Sequence, residues 1–206
     1  MLSDRQGGFR SRTMQWVLIA TGFTGALTLV FLLRRAHKFF VPPAETEVFF
    51  SPKGGCQDAI VRELKRARKE ILVQAYSFTA DPITFGLVEA KKRGVHVEIL
   101  LDKSNEEDAH SDLHILTDNQ VPLLIDSKHA IAHNKIMVID RKVVVTGSFN
   151  FTNQAEHENA ENLLILSHHH DLVTHYLENY QAHKSHCQAS TRHAPATPKP
   201  FHHKAA

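Results

Sequence analysis

Strand-forming runs alternate with helical patterns through the middle of this sequence. Runs rich in strand formers occupy residues 46–50, 71–78, 95–101 and 121–126, and apolar residues recur at helical spacing in 58–70, 81–93 and 111–119. Strands separated by helices of this length form βαβ units. The sequence therefore predicts an α/β domain with a mixed, largely parallel sheet flanked by helices on both faces. Shorter strands at 136–139, 143–146 and 163–166 and a helix at 171–183 complete it.

An uncharged run near the N-terminus adds a second unit to this domain. Residues 13–33 carry no charge over 21 positions, and Arg34 and Arg35 follow directly. A helix of that length spans roughly 31 Å, the thickness of a bilayer core. A transmembrane anchor is the favoured interpretation, and a cleaved signal peptide and a buried core helix are the alternatives. Basic residues on both flanks leave the orientation open.

These patterns divide the chain into five parts. They are a basic N-terminal segment at 1–12, a transmembrane anchor at 13–33, a linker at 34–45, a catalytic domain at 46–183 and a disordered tail at 184–206.

Charge and cysteine content exclude several classes of protein. Residues 44–183 hold 14 Lys and Arg against 21 Asp and Glu, a net charge of −7. This net charge gives no support for a large nucleic-acid footprint, which normally appears as a basic face, so any anion site must be local. Cys56 and Cys187 are too few for a disulfide framework or a cysteine-rich zinc fold. The consecutive imidazoles at 168–170 cannot converge on a metal ion, and His129 is interpreted as a loop residue, so we expect no metal and no cofactor.

The stretch 133–166 carries the chemistry. His133 and Lys135 lie two residues apart, which puts both side chains on one face of a strand. Ser148 and Asn150 share the same spacing after the next strand, and Glu161 precedes the last strand. An imidazole can attack phosphorus covalently, while an ammonium and a carboxamide stabilise charge on the phosphoryl oxygens. A carboxylate can orient the imidazole, as in a catalytic triad.

The pattern HxKxxxxD at 133–140, followed by GSxN at 147–150, resembles the HKD signature of the phospholipase D superfamily. AYSFTA at 75–80, AKKRGVHVEILLD at 90–102 and GSFNFT at 147–152 are similar to its single-motif branch, which contains small bacterial endonucleases and the mitochondrial cardiolipin hydrolases (Zucchini). The animal hydrolases carry a Cys/His zinc-binding insertion after the first strand. Here that connection is SPKGGCQ, which favours a compact bacterial-type body.

The resemblance implies a role for each motif residue. His133 would form a phosphohistidine, Lys135, Ser148 and Asn150 would bind the phosphate, and Glu161 would orient a catalytic histidine. Asp140 lies in a predicted turn, and we interpret it as a structural residue of the motif. Ser148 as a cap of the following helix is an equal alternative.

The single motif predicts a homodimer. The family's chemistry needs two histidines, one attacking and one protonating the leaving oxygen. We therefore expect His133 of two copies to face each other across a shared site.

Three functions fit these observations. The favoured one is a metal-independent phosphodiesterase acting as an endonuclease on DNA or RNA. Phe149 and Phe151 are candidates for base stacking, and core packing is the favoured role for at least one of them. The first alternative is a membrane-anchored phospholipase D or cardiolipin hydrolase that produces phosphatidic acid, in the bacterial inner or mitochondrial outer membrane. The second is a non-catalytic membrane scaffold, which the intact motif disfavours.

Overall fold

A computed structural model describes residues 28–32, 42–106 and 113–190 of this protein. The chain divides into two compact units, 1–43 and 44–206, and the second holds the residues considered below. Residues 28–32 are helical, and the rest of the predicted anchor at 13–33 lies outside the described residues. No helix in the described part of the chain is both long and apolar enough to cross a bilayer.

Eight strands form one sheet. They are β1 Glu45–Phe50, β2 Glu70–Ala75, β3 His96–Asp102, β4 Leu123–Asp126, β5 Lys135–Ile139, β6 Val143–Gly147, β7 Asn162–Ser167 and β8 Gln188–Ala189. The helices are α1 Cys56–Arg66, α2 Asp81–Lys92, α3 Leu113–Asp118, α4 Asn153–His157 and α5 His170–Lys184, with a short 3₁₀ helix at Lys103–Glu106.

The order of the strands is β1-β7-β6-β5-β2-β3-β4-β8. The pairs β2–β3 and β3–β4 are parallel, and the other five described pairs are antiparallel. The prediction of a mixed sheet is confirmed, whereas the prediction that it is largely parallel is wrong. A parallel pair needs a long crossover, and α2 and α3 supply such crossovers for β2–β3–β4 alone. A tight turn joins β5 to β6, and the connections through α4 and α5 lead to antiparallel partners.

Helices cover both faces of the sheet, as predicted. On one face, α1, α2 and α3 bury residues such as Ile60, Leu87 and Leu116 against inward-facing residues of the central strands. On the other face, Val173 and Tyr180 of α5 pack against Leu72 and Val138. The central strands are buried from both sides, which explains why β2 and β3 are almost continuously apolar.

Asp140 begins the turn between β5 and β6. Asp140 and Arg141 both have positive φ, 53° and 54°, as a type I′ hairpin requires. The Asp140 carboxylate accepts hydrogen bonds from the backbone N–H groups of Arg68, Lys69 and Glu70, at 2.8, 2.6 and 3.1 Å. It thus joins the hairpin to the segment that enters β2.

The ordered domain extends past its predicted end at residue 183. Helix α5 continues to Lys184, and β8 pairs with β4 through Gln188 opposite Ile125. The rest of the predicted tail, 191–206, lies outside the described residues.

Candidate active site at one edge of the sheet

The predicted site residues meet where β2 and β6 end and β5 and β7 begin. Antiparallel neighbours bring these four ends to one edge of the sheet, since Ala75 pairs with Lys135 and Gly147 pairs with Leu163. Gly147 allows β6 and β7 to approach closely here. Its φ is +149°, and a Cβ would lie 2.2 Å from the carbonyl oxygen of Asn162.

His133 and Lys135 form the centre of the site. His133 is exposed in the segment just before β5, whereas the side chain of Lys135 is buried in the first residue of that strand. The Lys135 ammonium donates a 2.7 Å hydrogen bond to the His133 carbonyl oxygen. Burial lowers the pKa of Lys135, and the nearby Glu161 carboxylate partly opposes this effect. A buried positive charge therefore lies directly behind an accessible imidazole.

Tyr76 joins these two residues, and the sequence analysis did not identify it. Its ring centroid lies 4.4 Å from that of His133, and the Lys135 ammonium lies 5.0 Å from the same tyrosine centroid. The second distance is within the range of a cation–π contact. The available signal was its position, since Tyr76 immediately follows β2 at the edge that holds the motif.

Ser148 and Asn150 follow β6 with different environments. Ser148 is exposed, and its Oγ accepts a 3.0 Å hydrogen bond from the Asn162 N–H. It does not cap the next helix, because Thr152 does so by accepting a hydrogen bond from the Ala155 N–H. The Asn150 Oδ1 is buried and has no hydrogen-bond partner among the described residues. Such an unsatisfied atom has an energetic cost, and functional sites are one place where it occurs.

Phe149 and Phe151 flank Asn150, and both are fully buried. Phe151 packs edge to face against Phe78, with ring centroids 6.0 Å apart. The rings of Phe149 and Phe151 therefore belong to the core and are unavailable for base stacking.

Glu161 is near enough to Lys135 for its negative charge to raise the pKa of that lysine. Its carboxylate accepts a 3.2 Å hydrogen bond from the Asn159 side chain, and its backbone is paired with Ser51. Within the described part of one chain, no hydrogen bond joins Glu161 to His133. Its predicted role in orienting a histidine therefore stays a prediction.

The sheet edge opens into a cleft of about 380 Å³. His133, Lys135 and Thr146 line it from the sheet, and His175, Tyr176 and Asn179 line it from α5. An exposed nucleophile, a buried cation and polar walls are suited to a phosphodiester that approaches from solvent.

The cardiolipin synthase PLD-like domain model matches residues 60–184, which include every motif residue above. The crystal structure of Nuc, a phospholipase D family member from Salmonella typhimurium, is also similar to this chain. It superposes with a TM-score of 0.69 at 34% identity, over 71% of this chain and 98% of Nuc. The chain belongs to the phospholipase D family. The predicted resemblance to this superfamily is confirmed.

Two curated relatives extend this picture. Phospholipase D of Rickettsia felis is 44% identical over 64% of this chain and 65% of its own length. The mitochondrial cardiolipin hydrolase of Chlamydomonas reinhardtii is 30% identical over 50% of this chain and 47% of its own length. The chain thus matches less than two thirds of the length of these two proteins.

Proposed function

We propose that this chain hydrolyses phospholipid phosphodiesters through a covalent phosphohistidine on His133, with no metal ion taking part in the bond-breaking steps. The observation that carries the proposal is the exposed His133 imidazole in front of the buried Lys135 ammonium. In the first step an imidazole nitrogen forms a bond to phosphorus, and the bond from phosphorus to the headgroup oxygen breaks. In the second step water attacks phosphorus, and the histidine leaves.

Lys135 supplies most of the electrostatic stabilisation in this scheme. Its ammonium neutralises the charge that builds up on the non-bridging oxygens, and its burial strengthens that interaction by excluding water. Asn150 contributes its amide group, and the exposed hydroxyl of Ser148 can still donate its own proton while accepting from Asn162.

The leaving oxygen must receive a proton, and a second histidine has to supply it. We propose that His133 of a second copy does so, with the two sites joined across the two-fold axis of a homodimer. The exposure of His133 at the mouth of an open cleft supports this arrangement. The same histidine then accepts a proton from the attacking water, which restores both imidazoles.

Three observations favour a phospholipid over nucleic acid as the substrate. The body has a net charge of −7, which would repel a long polyanion but matters less for a single headgroup. Phe149 and Phe151 are buried and cannot stack on bases. The Rickettsia felis relative carries the name phospholipase D. An anchor at 13–33 would hold the cleft near a bilayer, and Ile131, 59% exposed two residues before His133, could contact lipid.

An endonuclease activity is the second candidate. The polar side of the cleft formed by Tyr176 and Asn179 favours it, because a phenol and an amide can hydrogen-bond to sugars and bases. A single strand lying across two joined clefts would make such contacts.

One assay separates the candidates. The full chain, purified in detergent, is incubated with phosphatidylcholine vesicles, cardiolipin vesicles, single-stranded DNA or RNA. His133→Asn is assayed in parallel. The control is His157→Asn, which changes an exposed histidine of α4. We expect the wild type and His157→Asn to release phosphatidic acid from phosphatidylcholine, or phosphatidic acid and phosphatidylglycerol from cardiolipin. His133→Asn should release neither product. Labelled substrate should leave an acid-labile adduct on His133. Cleavage of nucleic acid alone would reject the phospholipid proposal, and activity in His133→Asn would reject the mechanism.

A further inference from the structure

A cluster of metal-ligating side chains lies apart from the catalytic residues. Asp126 ends β4, His129 lies in the following loop, His183 lies in the last turn of α5, and His186 follows that helix. Each offers one ligand atom, and these four atoms lie within 4.8 Å of one another. The three histidines come from two distant parts of the sequence, which β4 and α5 bring together. The sequence analysis missed the cluster because His129 resembled an ordinary loop residue.

The three imidazoles converge on one carboxylate oxygen. The Asp126 Oδ2 lies 2.9 Å from the Nδ1 of His129, 2.8 Å from the Nδ1 of His183 and 3.3 Å from the Nε2 of His186. Two ligand atoms that each lie about 2.0 Å from a tetrahedral zinc ion are about 3.3 Å apart. The three separations from Asp126 Oδ2 lie at or somewhat below this value, and all four ligand atoms lie within 4.8 Å of one another, so a small shift of the side chains would admit one Zn²⁺ ion.

The backbone holds the carboxylate in this orientation. The other oxygen of Asp126, Oδ1, accepts a hydrogen bond from the Lys128 N–H at 3.1 Å and a longer one from the His129 N–H at 3.4 Å. Outer contacts of this kind orient the ligands of protein metal sites. The carboxylate side chain is 3% exposed, and those of His183 and His186 are 17% and 19% exposed. The site is thus enclosed on the protein side, and His129, 43% exposed, covers its outer side.

We propose that Asp126, His129, His183 and His186 bind one Zn²⁺ ion in a tetrahedral site. Three imidazoles and a carboxylate are ligands that zinc accepts readily, and four protein ligands are typical of a structural rather than a catalytic zinc.

The position of this site gives it a structural function. The loop 127–134 follows Asp126 and contains His133, and α5 lines the catalytic cleft through His175 and Tyr176 before it reaches His183. A metal ion bound to His129 of the loop, to His183 of α5 and to His186 just after that helix would join the two walls of the cleft. Ala132 of the same loop is also fixed, because its N–H donates a 2.7 Å hydrogen bond to Asp102. The ion would therefore stabilise the segment that presents His133 without contacting substrate.

The alternative is a metal-free cluster in which the imidazoles donate hydrogen bonds to Asp126. Direct binding measurements distinguish the two cases without any assay of turnover. The full chain in detergent is stripped with a chelator, dialysed and titrated with ZnCl₂ by calorimetry. We expect one high-affinity equivalent, and Co²⁺ in its place should give the intense visible absorption of tetrahedral coordination. Thermal unfolding should shift upward by about 5–10 °C at a Zn²⁺ concentration 100 times Kd.

Matched variants locate the ion. His183→Ala with His186→Ala should abolish the high-affinity equivalent, whereas His96→Ala with His114→Ala, which changes two exposed histidines elsewhere, should keep it. If the first pair fails to fold, His129→Ala serves instead, because it changes an exposed loop side chain and should weaken Zn²⁺ binding at least about 10-fold. Equal binding by His129→Ala and the wild type, or no high-affinity binding by the wild type, would overturn the proposal. Loss of activity with intact zinc binding would bear on the proposed function alone.

Discussion

The ring of Tyr76 lies against the imidazole of His133, with 4.4 Å between their centroids, and it also faces the Lys135 ammonium at 5.0 Å. One aromatic side chain thus positions the predicted nucleophile and the cation behind it. A cation–π contact of this kind contributes about 0.5–2 kcal/mol. We therefore expect Tyr76→Ala to lower kcat about 5- to 10-fold, measured with a soluble phosphodiester substrate.

Tyr76→Phe is the matched control for this role. It keeps the ring and removes the hydroxyl, so its kcat should stay within about twofold of the wild type if ring packing is what matters. An equal loss in both variants would show that the hydroxyl acts in the reaction. Wild-type activity in Tyr76→Ala would show that the ring does not position His133.

The buried ammonium of Lys135 gives the reaction an alkaline limit. Burial lowers its pKa, and phosphate binding requires the charged form. Activity should therefore fall, as pH rises, below the pH at which an ordinary lysine loses its proton. Glu161 raises the pKa of Lys135, so Glu161→Gln should move the alkaline limb of kcat/KM to lower pH.

The same shift has a consequence for stability. Between the lowered pKa of Lys135 and its ordinary value of 10.5, the unfolded chain binds a proton that the folded chain has released. The contribution of Lys135 to the free energy of unfolding therefore increases with pH in that window. Lys135→Met should remove this dependence in denaturant titrations.

The kinetic prediction has its own contrary outcome. If the alkaline limb of kcat/KM lies at the same pH in Glu161→Gln as in the wild type, a group other than Lys135 sets it.

Asp140 should affect stability more than chemistry. Its carboxylate accepts three backbone hydrogen bonds from Arg68, Lys69 and Glu70. We expect Asp140→Ala to lower the free energy of unfolding by about 1–2 kcal/mol and Tm by about 2–8 °C. When measured at about 20 °C, kcat should change less than twofold.

Asp140→Asn tests the same explanation with a smaller change. Asparagine keeps one acceptor oxygen and tolerates the positive φ of this position, so it should lose less than half as much stability as alanine. A large fall in kcat with unchanged Tm in either variant would instead place Asp140 in the reaction.

Local patterns predicted the elements around the site well. The spacing of His133 and Lys135 predicted two side chains on one face of a strand, whereas His133 lies just before β5 and Lys135 begins it. The strand–helix alternation located β2, α2 and β3 within a few residues. The spacing did not predict that one of the pair is exposed and the other buried. It also gave no sign of Tyr76, which follows β2 and contacts both residues.

Long-range pairing was harder to predict from the sequence. The direction of β5 relative to β2 follows from the path of the chain between them, and no local signal specifies it, so the sheet was expected to be more parallel than it is. The same limit hid the group formed by Asp126, His129 and His183, whose members are separated by up to 57 residues. Nearness in sequence can also mislead. Phe149 and Phe151 lie beside motif residues, yet both are buried in the core.

His175 provides the last test, because it is the imidazole that shares the described cleft with His133 inside one chain. If the leaving oxygen receives its proton from His133 of a second copy, His175→Asn should lower kcat less than about 10-fold, whereas His133→Asn should abolish turnover. The His175 side chain is 75% exposed, and its Nδ1 lies 3.6 Å from the similarly exposed Glu178 carboxylate, so its replacement should leave Tm nearly unchanged. A mixing experiment decides between the two sources of the proton. Wild-type chains are refolded with an excess of His133→Asn chains. If each site needs both copies of His133, activity should fall in proportion to the mixed dimers formed. Retained activity in the mixture, together with a loss greater than 100-fold in His175→Asn, would assign the proton transfer to α5 of the same chain.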